Sequence, residues 1–109
     1  MLGHRLLGGR RVKQISAKEV EALLNEVKNV EIIDVRESVE IAAGKIPGSI
    51  HIPMGFIEFR MHELDKSKEY IMVCHSGARS GLATQFLEGY GYNVKNMRGG
   101  MLAWEGKVE

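Results

Sequence analysis

Tyr70-Ile71-Met72-Val73-Cys74-His75-Ser76-Gly77-Ala78-Arg79-Ser80 joins the most apolar β-type run of the chain to a helix start. Residues 70–73 read as a buried strand. A helix is expected from about Ala78, with Leu82, Ala83, Phe86, Leu87 and Tyr90 on one side. Gly89 and Gly91 offer its left-handed stop. An open parallel sheet holds its ligands beyond the carboxyl ends of its strands, and this loop sits at such an end. A helix start exposes unpaired N–H groups and carries roughly half a positive charge. Gly77 removes a Cβ where the loop would otherwise crowd itself. Arg79 adds a permanent cation with fork geometry. Such a cradle binds anions. A thiol has a pKa of about 8.5 when free, and helix termini and cations lower it. A lone cysteine after an apolar strand, taken by itself, is a small buried hydrophobe. The Gly, Arg and Ser that follow Cys74 turn the reading toward a nucleophile in an anion cradle.

Outward from this loop, strand-like and helix-like patterns alternate, which argues for an α/β fold with a parallel sheet. Ser16-Ala17-Lys18-Glu19 is a capping box, with Ile15 and Val20 at the staple positions. Val20, Leu23, Leu24 and Val27 then keep one apolar face. Residues 30–35 read as a second buried strand, ending near Asp34 and Arg36. Ile46-Pro47-Gly48-Ser49 fits a type II turn. Residues 49–52 predict a short strand, 56–64 a short helix, 92–97 a last strand and 102–106 a terminal helical turn.

The chain has 109 residues, 44% hydrophobic and 27% charged, with net charge +1. That suits one soluble domain and gives no overall field for nucleic acid. Residues 1–13 hold Arg5, Arg10, Arg11 and Lys13 and no acid, whereas the remaining 96 carry 11 basic and 14 acidic residues. The first 13 read as a flexible basic tail before a domain spanning 14–109. One cysteine allows no internal disulfide, and a reducing, cytoplasmic setting is the expectation. No apolar run approaches the roughly 18 residues of a membrane span. His4, His51, His62 and His75 show no ligand spacing with Cys74, so neither a metal nor another cofactor is expected.

Taken together, the motifs resemble the rhodanese family. Cys74-His75-Ser76-Gly77-Ala78-Arg79-Ser80 is similar to its Cys-x-x-Gly-x-Arg-Ser active loop. Asp34-Val35-Arg36-Glu37, Glu40 and Gly44-Lys45-Ile46-Pro47-Gly48 resemble its upstream signature, with Lys45 where His is usual. Ser49-Ile50-His51-Ile52-Pro53 resembles the continuation, with His51 where Asn is usual. Gly99-Gly100-Met101-Leu102-Ala103-Trp104 is similar to the Gly-Gly-x-x-x-Trp near the domain end. The resemblance covers about residues 14–106. It implies a three-layer fold, with a five-stranded parallel sheet between helices on both faces. It implies sulfur transfer too. Cys74 would take sulfane sulfur from a small donor such as thiosulfate, held by residues 75–80, and pass it to a thiol or to cyanide. The acceptor thiol could be small or borne by a protein, and a monomer is expected.

Two other functions compete. Phosphatases and arsenate reductases share this fold, but the phosphatase loop is Cys-x5-Arg, and here Arg79 makes it Cys-x4-Arg. Non-catalytic binding modules of the family lack the cysteine that this chain keeps. Among neighbouring residues, His75 beside the cysteine suggests acid–base catalysis, but adjacent loop residues point apart and a rim position that adds mild positive potential is the expectation. Ser76 and Ser80 read as hydroxyl donors to the sulfur, as helix caps, or as both. Asp34 and Arg36 read as a structural ion pair. Met101 and Trp104 read as core or pocket wall.

Overall fold

In a computed structural model, residues 12–26 and 29–109 are described. Arg5, Arg10 and Arg11 of the basic tail, and Val27 of the first helix face, lie outside them. Lys13, assigned to the tail from sequence, already belongs to the domain edge: its carbonyl accepts the Asn96 N–H at 2.9 Å.

Five strands form one parallel sheet: β1 (Gln14–Ile15), β2 (Val30–Asp34), β3 (Ile50–His51), β4 (Glu69–Val73) and β5 (Asn93–Met97), in the order β1-β5-β4-β2-β3. The most apolar run is thus the central strand, buried from Tyr70 through Val73. A strand covered on both faces needs an unbroken apolar sequence, not an alternating one. Helices α1 (Ala17–Leu24), α2 (Ser38–Ile41), α3 (Ile57–Arg60) and α4 (Ala78–Gly89) complete the order, with 3-10 turns at Met54–Phe56, Met61–Glu63 and Gly100–Ala103.

The core has two halves. Ile33, Val35, Ile52, Ile57, Tyr70, Met72, Ala83, Leu87 and Val94 pack with Cys74 on one side. Ile15, Val20, Ile32, Ile46, Ile71, Val73 and Met97 pack on the other, with Met101 and Trp104 partly buried against them. The sheet is the middle of three layers, as the resemblance implies.

Local signals were read well where they rest on caps and turns. Glu19 N–H donates to Ser16 Oγ at 3.1 Å, and Ser16 N–H donates to Glu19 Oε1 at 2.9 Å, closing the capping box. Gly48 has φ +79°, and Ser49 N–H reaches Ile46 O at 3.1 Å, as a type II turn requires. Other expectations need correction. Local patterning gives no strand before α1, whereas Gln14–Ile15 pairs with β5. Residues 56–64 form only one α-helical turn between two 3-10 turns, beginning at Met54. The terminal helical turn starts at Gly100, not at Leu102. The left-handed stop after α4 falls on Gly91, at φ +91°, while Gly89 is still helical.

The largest correction concerns the buried face of α4. It is Ser80, Ala83, Thr84 and Leu87, whereas Leu82 and Tyr90 are 62% and 50% exposed. Two of the four buried positions are polar, so hydrophobicity alone picks the wrong stripe. Thr84 Oγ1 satisfies itself by donating to Ser80 O at 2.7 Å. Ser80 is turned toward the loop that carries Cys74.

Candidate active site

Cys74 follows β4 directly and is 1% exposed. The next three residues curl over the start of α4, whose cap residue Gly77 has φ +103°. A Cβ there would stand 3.2 Å from Gly99 N in left-handed backbone, so the position requires glycine. The curl aims donors at the sulfur. Gly77 N–H donates to Cys74 Sγ at 3.0 Å, and Ser80 Oγ lies 3.3 Å from it. Burial pushes the thiol pKa up. The Ser80 hydroxyl and the amides of Ser80, Gly77 and Ser76 outweigh that, leaving Cys74 below its ordinary value.

The carbonyls of the loop are tied from behind. Met101 N–H donates to Cys74 O at 2.9 Å, and Leu102 N–H to His75 O at 3.0 Å. Gly100, at φ +58°, lets that turn come close: a Cβ would fall 2.5 Å from both carbonyl oxygens. The Gly-Gly before Met101 is therefore a backing plate for the cysteine loop.

The loop residues assigned from sequence take distinct places. Ser80 is fully buried and touches the sulfur. Gly77 gives its amide. The side chains of His75, Ser76 and Ala78 are exposed at the rim. Arg79 is elsewhere than a donor-facing position would put it. Its Nη1 and Nη2 each donate to a Glu40 carboxylate oxygen at 2.8 Å. The paired guanidinium holds the Glu40 pKa down at about 2, and Glu40 pushes that of Arg79 up. The fork grips α2, and what reaches Cys74 is its charge through space.

Beside the loop, Val35 N–H donates to Val73 O at 2.9 Å, which brings the end of β2 to the cysteine. There Arg36 closes on Asp34, with Nη2 at 2.9 Å and Nε at 3.0 Å and 3.1 Å from its oxygens. Arg36 Nη2 also donates to Gly44 O at 2.8 Å. The pair is a brace, as the sequence suggests. Both departures from the family pattern find partners nearby. His51 Nε2 lies 2.6 Å from Arg36 O, and Lys45 Nζ donates to Glu109 Oε2 at 2.7 Å.

Sequence reasoning missed two residues. Glu40 was noticed only as part of a motif, without its role as partner of Arg79. Asn96 was not noticed at all. It is 4% exposed on β5, with Oδ1 2.5 Å from Ser80 Oγ and Nδ2 donating to Gly77 O at 3.2 Å. A polar side chain in a strand between buried Val94 and Met97 was the available signal. Among the described residues no group of three or more His, Cys, Asp or Glu is placed to hold a metal ion.

A five-stranded parallel sheet with a cysteine on an amide cradle at the central strand's end defines a class of α/β domain built around that cysteine loop. The chain belongs to the rhodanese-like domain family, whose model matches residues 16–107. YtwF of Bacillus subtilis is 41% identical over 98 residues, covering 90% of this chain and 95% of the relative. A sulfurtransferase of Allochromatium vinosum is 38% identical over 94 residues, covering 85% and 88%. The crystal structure of a rhodanese-like domain protein from Staphylococcus aureus superposes with a TM-score of 0.84 at 38% identity, covering 89% and 96%.

Proposed function

We propose that this chain is a sulfurtransferase that carries sulfane sulfur as a persulfide on Cys74. The observation that carries the reading is the sulfur atom itself, held by Gly77 N–H and Ser80 Oγ at the start of α4. With thiosulfate as donor, the Cys74 thiolate attacks the outer sulfur. An S–S bond forms, the bond to the sulfonate sulfur breaks, and sulfite leaves with the electron pair. An acceptor thiolate then attacks the terminal sulfur, takes it as its own persulfide and returns Cys74 as thiolate. Cyanide in the same role gives thiocyanate. Cys74 is the only cysteine, so no internal thiol resolves the persulfide. The acceptor comes from outside, as a small thiol or a protein cysteine.

The amides that hold the thiolate also suit the terminal S⁻ of the persulfide and the sulfonate oxygens of a donor. Residues 75–80 form that cradle. A phosphatase reading asks for a free arginine fork on the phosphate, and the Arg79 fork is filled by Glu40. No described helix is long and apolar enough to cross a membrane. A small donor and a thiol acceptor, met in a reducing compartment, complete the reading.

Mass spectrometry after thiosulfate treatment is expected to show one added sulfur on the Cys74 peptide, removable by dithiothreitol. Initial rates should be ping-pong, with parallel lines when donor is varied at fixed acceptor levels. A Cys74→Ser chain that still transfers sulfur would end the reading.

A further inference from the structure

Ser80 has one hydroxyl proton and two claimants for it. Its Oγ lies 3.3 Å from Cys74 Sγ and 2.5 Å from Asn96 Oδ1. A hydroxyl donates to one acceptor at a time. The orientation of the Asn96 carboxamide is fixed by its other end, because Nδ2 faces two acceptors, Gln14 Oε1 at 3.1 Å and Gly77 O at 3.2 Å. Turning the amide over would set oxygen against oxygen at Gly77, whose backbone carbonyl, unlike the Gln14 amide, cannot turn with it. The atom presented to Ser80 is therefore the acceptor.

We propose that Asn96 is a positioning residue for Cys74, whose carboxamide oxygen competes with the sulfur for the Ser80 proton. The proposal rests on Cys74 being the reacting sulfur. While Cys74 is a thiol, its S–H points to Ser80 Oγ, and the Ser80 O–H points to Asn96. When the thiol ionises, its proton leaves for solvent, and the hydroxyl turns to the thiolate. Oγ and Oδ1 then face each other with lone pairs, so the thiolate gains less than a free serine would give it. When Cys74 bonds to the donor sulfur, charge leaves Sγ for the outer sulfur. The hydroxyl swings back to Asn96. Asn96 thus keeps the thiolate from being over-stabilised and eases charge off Sγ as the new bond forms.

Charged groups on the surrounding elements are separate from this contest. They include Arg79 of α4, with Glu37 and Glu40 near α2 acting on it, Asp34 and Arg36 at the end of β2, His75 on the loop, Lys13 before β1, and Lys95 of β5, paired with Glu69. Arg98 follows β5, its N–H donating to Ile15 O at 2.8 Å. None of them contacts the Ser80 hydroxyl in the observed hydrogen bonds, and Asn96→Ala alters none of these groups.

The test is the pH dependence of Cys74 alkylation by iodoacetamide, which needs no sulfur transfer. Asn96→Ala should move the midpoint down by about half a unit to one unit, the size of one hydrogen bond. The plateau rate should fall about twofold, because nucleophilicity falls with thiol pKa. In a Ser80→Ala background the same substitution should move neither. A loosened fold would shift both backgrounds alike, so an equal shift in both overturns the proposal, as does no shift in the first. Wild-type protein offers an independent arm should Asn96→Ala not fold. The Asn96 13Cγ resonance should titrate at the midpoint of thiolate absorbance near 240 nm, and that response should vanish in Ser80→Ala. A resonance flat through that midpoint, or one that still titrates without Ser80, refutes the role. If Cys74 never forms a persulfide but these shifts appear, the proposed function fails and this inference stands.

Discussion

Two arginine–carboxylate forks flank the cysteine, and they differ in burial and in what else they reach. Arg36 and Asp34 have side chains 6% and 1% exposed, whereas Arg79 and Glu40 are 37% and 28% exposed. The inner fork is fully dressed, since Arg36 reaches Gly44 O and, at 3.4 Å, Glu40 O. Among the described residues, the Arg79 side chain hydrogen-bonds only Glu40. Burying an ion pair removes water that cannot be regained when one partner is lost. An exposed pair is screened, and breaking it costs little. Identical chemistry therefore fixes the frame in one place and leaves an adjustable charge in the other. Glu40 links them: its carbonyl meets Arg36 and its carboxylate meets Arg79.

The sharpest way to break this contrast is to cut each fork singly. Arg36→Met leaves Asp34 buried without its counter-ion, with only the residue 36 N–H kept, and should destabilise the fold by about 3–5 kcal/mol. Urea denaturation measures it, and a loss as small as that of an exposed pair would put the two forks on one footing. Arg79→Ala should cost about 1 kcal/mol or less after screening by solvent. Its effect should appear instead in kcat/KM for thiosulfate, lower by about tenfold. A cation placed directly on the reacting charge would be worth more, but Glu40 shares this one.

Glu40→Gln gives the smallest effect and the most discriminating one. It frees the Arg79 fork for an anionic donor, so KM for thiosulfate should fall about two- to fivefold with kcat little changed. A raised KM would make Glu40 a support that Arg79 cannot do without. The same variant has a pH signature. Glu40 has its pKa depressed to about 2 from 4.5. Its stabilising contribution is complete above the unfolded value and is lost as pH falls through the folded one. The gap in melting temperature between wild type and Glu40→Gln should therefore be constant above pH 4.5 and close toward pH 2.

What could be read from sequence follows the range of the interactions. Ser16 with Glu19, Pro47 with Gly48, and the apolar run before Cys74 act within a few residues, and each was legible. The family resemblance supplied the five-stranded sheet, including the short edge strand that patterning overlooked. The Glu40 partnership joins residues 39 apart, and the Asn96 contact with Gln14 spans 82. No local pattern announces either partner, although a polar Asn96 between buried Val94 and Met97 marks the position itself. The stripe of α4 was misread for a further reason. Its inner face gives two positions to Ser80 and Thr84, where a pure core helix would place leucine. Local rules fail most where a chain is built for chemistry.

Gly100 has a consequence for the order in which the cysteine loop is completed. The turn it permits lies against the carbonyls of Cys74 and His75, and Gln14 anchors the carboxamide beside Ser80. Both ends of the domain thus close on the middle. During synthesis Cys74 emerges before Met101 and Leu102, whose amides tie its loop. Until the turn at Gly100–Ala103 has docked, the carbonyls of Cys74 and His75 lack the amides that tie them. The loop is thus completed by the last-made part of the domain, and a nascent chain ending short of Met101 lacks both ties.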